Sequence, residues 1–144
     1  MGINFADRLR QLHGVKCMSV DGVEYEVPPT DSIYAVETAI SFSDGTRLAA
    51  QFWRLIKSGT PLVSIFDHRQ KCGLAVPLDA IHVLKNELQS NVILAAEMNE
   101  TTGDLHFSFE RDIKLEVFNF TAFEIWDITF ADGTREFSNY ALQK

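Results

Sequence analysis

The feature that most constrains the fold is strict alternation of apolar and polar residues in the last third of the chain. The alternation runs through Leu105–Phe109, resumes in Ile113–Val117 after a polar gap, and returns in Glu124–Phe130. A period of two is typical of antiparallel strands that bury one face and leave the other polar. The Asp132-Gly133 pair is a strong hairpin signal, so residues Arg135–Tyr140 are predicted to form the returning strand.

A second copy of this hairpin pattern lies in the first half of the chain. Residues Ile40–Arg47 match Ile128–Arg135 at six of eight positions, at an offset of 88 residues. The match predicts a single domain, 1–144, built from duplicated halves of about 15–76 and 92–144. The alternative is convergence, because any β-hairpin favours alternation followed by Asp-Gly.

Further strands are predicted at Val15–Val20, Val23–Val27 (joined to the first by an Asp21-Gly22 turn), Val36–Phe42, Arg47–Ile56, Leu62–Phe66 and Val92–Met98. The apolar spacing of Ile81, Leu84 and Leu88 predicts one central helix, and Phe5–Leu12 predicts a short N-terminal helix. Residues 28–31 are predicted to form a loop. The fold class is therefore α+β, mainly antiparallel β in a sandwich or two-sheet arrangement.

Composition indicates a globular chain of 144 residues, with 46% hydrophobic and 23% charged residues. No apolar stretch approaches the roughly 20 residues needed to span a bilayer. Cys17 and Cys72 show no C-x-x-C spacing, so two free thiols in a reducing compartment are predicted, and the expected location is cytoplasmic.

Charge is unevenly distributed within a net charge of −7. Residues 97–144 hold 10 acidic and 4 basic side chains, whereas residues 45–78 hold five basic side chains and only Asp67 as an acid. The acidic balance argues against a nucleic-acid partner and favours a basic protein partner, or only solubility. The residues predicted to contact that partner are Glu110, Asp112, Glu116 and Asp127 on the late strands, with Trp53, Arg54 and Arg69 in the basic region.

No catalytic or cofactor motif is found, so the chain is predicted not to be an enzyme and to hold no metal and no cofactor. The only dense set of reactive residues runs from Asp67 through His68 to Cys72, and it favours a polar loop over a small hydrolase. The four histidines lack the H-x-x-x-H spacing of a metal site, and no phosphate-binding glycine motif occurs.

Aromatic residues crowd the late strands and are predicted to form core: Phe107, Phe109, Phe118, Phe120, Phe123, Trp126 and Phe130. Glu124 shares strand parity with Trp126, which predicts a buried carboxylate paired with an arginine or capping backbone amides. An alternative function is therefore a small-ligand site in a crevice between the two halves, lined by Trp53, His68 and Glu124.

Several short motifs resemble a known group of proteins: Pro28-Pro29-Thr30-Asp31, Phe42–Thr46 leading to Trp53-Arg54, Phe66-Asp67-His68, and Glu124-Ile125-Trp126 before the last Asp-Gly turn. The chain resembles, from about residue 8 onward, an uncharacterised family of small bacterial β-rich proteins. Some members are similar to immunity proteins of polymorphic toxin and contact-dependent growth inhibition systems. The resemblance implies a non-enzymatic inhibitor that occludes the active surface of a cognate toxin, such as a basic nuclease; it supplies no catalytic residues.

Overall fold

The computed structural model describes residues 4–26, 34–71, 73–120 and 124–139, without the side chains of residues 24–26 and 34–35. The described residues confirm the predicted class, because ten antiparallel strands form two sheets accompanied by short helices. The predicted loop at 28–31, Cys72, Phe123 and the end of the last strand lie outside the described residues.

The helices are α1 (Phe5–Arg10) and α2 (Ala80–Leu88), and a 3₁₀ turn spans Ile65–Asp67. The strands are β1 (Cys17–Glu26), β2 (Tyr34–Phe42), β3 (Arg47–Ala50), β4 (Trp53–Lys57), β5 (Thr60–Ser64), β6 (Ile93–Met98), β7 (Leu105–Phe109), β8 (Ile113–Val117), β9 (Trp126–Thr129) and β10 (Arg135–Phe137). Sheet one has the order β1-β2-β3-β9-β10, and sheet two has the order β5-β4-β8-β7-β6. Neither α1 nor α2 has the length or the apolar run that crossing a membrane would require.

The core lies between the two sheets, and the alternation of the late strands decides which side chains enter it. Leu105, Phe107 and Phe109 are buried while the residues between them are partly exposed, as predicted. Phe42 of sheet one stacks on Phe107 of sheet two, with ring centroids 6.4 Å apart. Burial of these side chains on both inner faces joins the sheets into one packed unit.

The two Asp-Gly hairpins have the same local geometry. In both turns the aspartate Oδ1 accepts a hydrogen bond from the amide two residues later, at 2.8 Å in the first and 2.9 Å in the second. Gly45 and Gly133 both take positive φ, +98° and +89°, which glycine adopts without steric cost. Pairing of β3 with β9 sets the hairpins side by side. Duplication and convergence both predict this likeness, so duplication stays a prediction.

The two helices pack against different strands. Phe5 of α1 stacks on Trp126, with centroids 5.9 Å apart, and Arg8 forms an ion pair with Asp132 at 2.5 Å. Hydrogen bonds from Thr134, together with the Arg8 contact, lower the pKa of Asp132 to about 2. Helix α2 begins at the N-cap Asp79 and packs on β1 and β5.

The predicted single strand Arg47–Ile56 is wrong, because the chain leaves sheet one after β3 and enters sheet two at β4. Gln51 and Phe52 make the crossing. The Gln51 amide donates to the Ile125 carbonyl at 3.0 Å, and the Phe52 carbonyl accepts from the Phe118 amide at 2.9 Å. The crossing therefore keeps its backbone hydrogen bonds without continuing either strand.

The predicted turn at Asp21-Gly22 is also wrong, because β1 runs unbroken through it. Asp21 pairs with Ala39 and Gly22 pairs with Thr38 in the ladder with β2. A Cβ on Gly22 would lie 2.8 Å from Ile81 Cγ1 of α2. Glycine stands here because a helix side chain lies against the strand, which is a recognised reason for glycine inside a sheet.

Candidate protein-binding surface

A cluster of four phenylalanine side chains, two exposed and two half-buried, lies beside the start of β4. We call it the aromatic patch and define it as Phe52, Phe66, Phe118 and Phe120. The Phe52 ring lies 5.6 Å from Phe66 and 4.7 Å from Phe120, measured between ring centroids. Phe66 and Phe120 are each 62% exposed. Large apolar side chains that cluster at a surface in this way commonly mark an interaction site.

Strand parity and a tight turn hold the aromatic patch in place. Phe52 precedes the buried Trp53, so its side chain lies on the opposite side of the chain. The 3₁₀ turn carries Phe66 and is closed by a capping box, in which Asp67 Oδ2 accepts from the Ser64 amide at 2.8 Å. The Phe66 amide donates to Ser64 Oγ at 3.2 Å.

An arginine held by a carboxylate borders the aromatic patch. Arg54 donates to Glu116 Oε1 from Nε at 3.0 Å and from Nη2 at 2.7 Å. Its guanidinium also lies 5.4 Å from the centre of the Phe118 ring. Because Glu116 and Phe118 fix its orientation, Arg54 is presented in one geometry beside the rings.

The four acids predicted to contact a partner do not lie together on one surface. Glu116 lies on the outer face of sheet two and is paired with Arg54. Asp127 lies on the outer face of sheet one, 3.4 Å from the Arg135 Nε. Glu110 and Asp112 are exposed in the turn between β7 and β8. Of the predicted contact residues, Arg54 and Glu116 therefore form one pair, and Glu110 and Asp112 share a turn elsewhere in sheet two.

Trp53 does not lie at the surface, so the expectation of an exposed anchor at this position is corrected. Its side chain is 1% exposed, and its Nε1–H donates to the Thr38 hydroxyl of sheet one at 2.9 Å. Alternation within β4 directs Trp53 and Leu55 inward and leaves Arg54 on the outer face. The aromatic residue of the same parity as Arg54 is Phe52, which is half-buried.

His68 is built into the start of α2. Its Nδ1 accepts a hydrogen bond from the Ala80 amide at 3.0 Å and lies 3.9 Å from Asp79 Oδ1. Asp67 instead bonds Ser64, so Asp67 and His68 serve different contacts. Arg69 is exposed, and its amide donates to the Leu78 carbonyl at 2.8 Å. The third member of the predicted reactive set, Cys72, lies outside the described residues.

Glu124 is exposed, so the expectation of a carboxylate on the buried face is corrected. β9 begins only at Trp126, and parity does not extend to residues before the strand. Glu124 borders a shallow cleft of about 270 Å³ on sheet one with Glu37, Asp127 and Arg135. Trp53, in the core, and His68, at the start of α2, lie in other parts of the fold, and the three residues do not line one crevice.

Two members of the aromatic patch, Phe52 and Phe66, were not predicted as site residues, and the other two were predicted to form core. Phe120 was assigned to the core but is exposed, and Phe118 is half-buried. The parity of Phe52 relative to Trp53 was the available signal. For Phe66 no such signal exists, because a 3₁₀ turn has no alternating face.

Cys17 is fully buried, and burial raises the pKa of its thiol to about 11. Among the residues that the structure describes, no three of His, Cys, Asp and Glu are grouped as metal ligands. The placement of Cys17 favours a packing role over a chemical one.

We therefore predict that Cys17 is unreactive in the folded protein. In a Cys72→Ser variant, a thiol reagent at pH 8 is expected to modify the native chain about 100-fold more slowly than the urea-unfolded chain, because the thiolate is the reacting form. The measurement is the rate at which a chromogenic disulfide reagent releases its coloured thiolate, followed by absorbance. Equal rates with and without urea would contradict the buried placement.

The chain was compared with protein-family models, curated proteins and solved structures, and none of them matches.

Proposed function

We propose that the protein is a non-enzymatic, cytoplasmic binding protein that neutralises a cognate bacterial toxin by occluding the toxin's active surface. The observation that carries the proposal is the aromatic patch, in which Phe66 and Phe120, each 62% exposed, contact the ring of Phe52 beside an ordered arginine. The resemblance to immunity proteins supplies the kind of partner.

The aromatic patch has the make-up of an interface centre. Phenylalanine and arginine are enriched in protein interfaces, and aromatic anchors contribute much of the binding free energy when a partner excludes water from them. Arg54 loses little side-chain entropy on binding because Glu116 already holds it. Exposed rings at the surface also suit a protein partner better than a small molecule, which needs a concave site.

Charge supports a basic partner. The chain carries a net charge of −7, and the exposed acids Glu110 and Asp112 add to the field that such a partner meets. Complementary potentials accelerate encounter, while desolvated contacts in the aromatic patch slow dissociation. A nuclease toxin fits both requirements, because its surface must be basic to hold phosphates and would be attracted to an acidic chain.

The experiment is co-expression with the product of the neighbouring gene, tested as the candidate toxin. The intact chain is expected to protect the cells and to form a stable complex on size exclusion. The variant with Phe66→Ala and Phe120→Ala is expected to bind at least about tenfold more weakly, since each ring is an anchor. Titration calorimetry of the purified proteins measures this change.

The matched control is Met18→Ala, which removes another exposed apolar side chain, from sheet one. Its affinity is expected to stay within about twofold of the parent chain. No complex with the intact chain would refute toxin neutralisation. A complex that the double variant leaves unchanged would place the interface elsewhere, first at Glu110 and Asp112.

A further inference from the structure

Strand β6 has an open edge beyond its first residue. At that first residue, the Ile93 amide donates to the Val15 carbonyl at 2.8 Å, and the Ile93 carbonyl accepts from the Gly14 amide at 2.7 Å. The chain then turns away into α1. From Ala95 to Met98, in the part of the chain that the structure describes, the only strand paired with β6 is β7.

The other edge strands of the two sheets carry features that discourage pairing. β5 contains Pro61, which cannot donate a ladder hydrogen bond, and β10 is only three residues long. β1 has α2 packed against it, and β6 has α1 packed against it, but α1 leaves a groove along the β6 edge. β6 has neither proline nor an inward-facing charge, and a strand with such an edge is a template for a further strand.

A groove of about 920 Å³ lies between this edge and α1, and its walls combine apolar and acidic groups. Leu94 is 46% exposed along it, and Phe5 and Ala6 of α1 face it from the other side. Its charged residues are Glu97, Glu100 and Arg10. Because Arg10 forms an ion pair with Asp7, the uncompensated charge of the groove is negative.

We propose that the β6 edge and this groove bind an extended basic segment of a partner protein, which adds as a sixth strand to sheet two. A residue opposite Glu97 shares its outer face, where Lys or Arg is favoured, and a residue opposite Ala96 shares its inner face, where an apolar side chain is favoured. The recognised chemistry is thus an extended peptide in which basic and apolar residues alternate. A second copy of this chain fits less well, because it would bring its own net charge of −7 to an acidic edge.

This inference does not rest on the proposed toxin neutralisation, because it concerns the opposite edge of sheet two from the aromatic patch. It is tested by titrating the full chain with a short capped peptide that alternates lysine with valine, followed by ¹⁵N–¹H NMR and amide exchange. Shifts and slowed exchange are expected in Leu94–Met98 and α1 at peptide concentrations up to about 1 mM. The same peptide with N-methylated backbone amides is expected not to bind, since strand addition uses main-chain hydrogen bonds.

Charge reversal at the edge supplies the matched comparison. Glu97→Lys is expected to weaken binding of the lysine–valine peptide about fivefold and to strengthen binding of a glutamate–valine peptide by a similar factor. Glu37→Lys makes the same charge change at an exposed position of β2, in sheet one, and is expected to alter neither.

Three results would overturn the proposal. The first is the absence of shifts at millimolar peptide. The second is shifts that lie elsewhere and do not respond to Glu97→Lys. The third is self-association of the free chain through β6 with no peptide binding, which would make a second copy the occupant.

Discussion

Replacing Trp53 with alanine is expected to lower the free energy of unfolding by about 3–5 kcal/mol, because it empties the centre of a fully packed core. Trp53 is 1% exposed, and its indole joins the two sheets through the Thr38 hydroxyl. Natural domains are stable by only about 5–15 kcal/mol, so the variant would retain little of its stability. Urea denaturation followed by circular dichroism measures the change.

The matched control is Phe66→Ala, which also truncates a large aromatic side chain but at an exposed site. Its expected cost is below about 1 kcal/mol, the small value typical of a surface position. Equal losses for the two variants would mean that Trp53 is not in the core.

The hydrogen bond between Trp53 and Thr38 is expected to show as a coupling between the two sites. Trp53→Phe leaves a buried hydroxyl without its donor, and Thr38→Val leaves a buried indole N–H without its acceptor, each at about 1–3 kcal/mol. The double variant removes both groups and is expected to cost clearly less than the sum of the single variants. Additive costs would show that the bond contributes nothing.

The late strands could be predicted because their alternation and their burial have the same cause. Each inward position of β7 and β8 is apolar, so the period of two identified both the strand and its buried face. The Asp132-Gly133 turn was predictable for a local reason, since the positive φ at Gly133 favours glycine.

The break between β3 and β4 left a signal in the sequence that was misinterpreted. Leu48 and Ala50 are buried at even positions, whereas Trp53 and Leu55 are buried at odd positions. A change of parity within one apolar run indicates that the chain changes sheets or forms a bulge. The change of parity between Ala50 and Trp53 therefore argues against one continuous strand.

The candidate site was harder to predict than the fold because exposure is a tertiary property. Arg54 was named from charge, and Glu116 from strand parity, but nothing local to either predicted that they pair across β4 and β8. Phe66 is of a residue type that is usually buried, and only the packing of the 3₁₀ turn leaves its side chain at the surface. Sequence patterns therefore predicted strands better than they predicted which aromatic rings remain exposed.

The Asp21-Gly22 pair shows a local signal that tertiary structure overrode. The same dipeptide forms a turn at Asp44-Gly45, where Gly45 has a φ of +98°. In β1, Gly22 instead accommodates Ile81 of α2. The stability cost of substituting Gly22 should therefore depend on the side chain at residue 81, whereas the cost of substituting a turn glycine would not.

We predict that Gly22→Val lowers the free energy of unfolding by about 2–3 kcal/mol, because the new side chain overlaps Ile81. The Cβ alone would lie 2.8 Å from Ile81 Cγ1 and 3.1 Å from its Cδ1. In an Ile81→Ala background that space is open, and valine is a favourable strand residue. The same substitution is then expected to cost less than about 1 kcal/mol, with the difference measured as a coupling free energy by urea denaturation.

The two interpretations of Gly22 predict different results in this cycle. If glycine were required by its backbone conformation, valine would destabilise the fold by the same amount whether residue 81 is isoleucine or alanine. If glycine is required by the approach of α2, truncating Ile81 removes most of the penalty. Additive free energies would therefore overturn the packing explanation, and a coupling above about 1 kcal/mol would establish that α2 selects glycine in an otherwise regular strand.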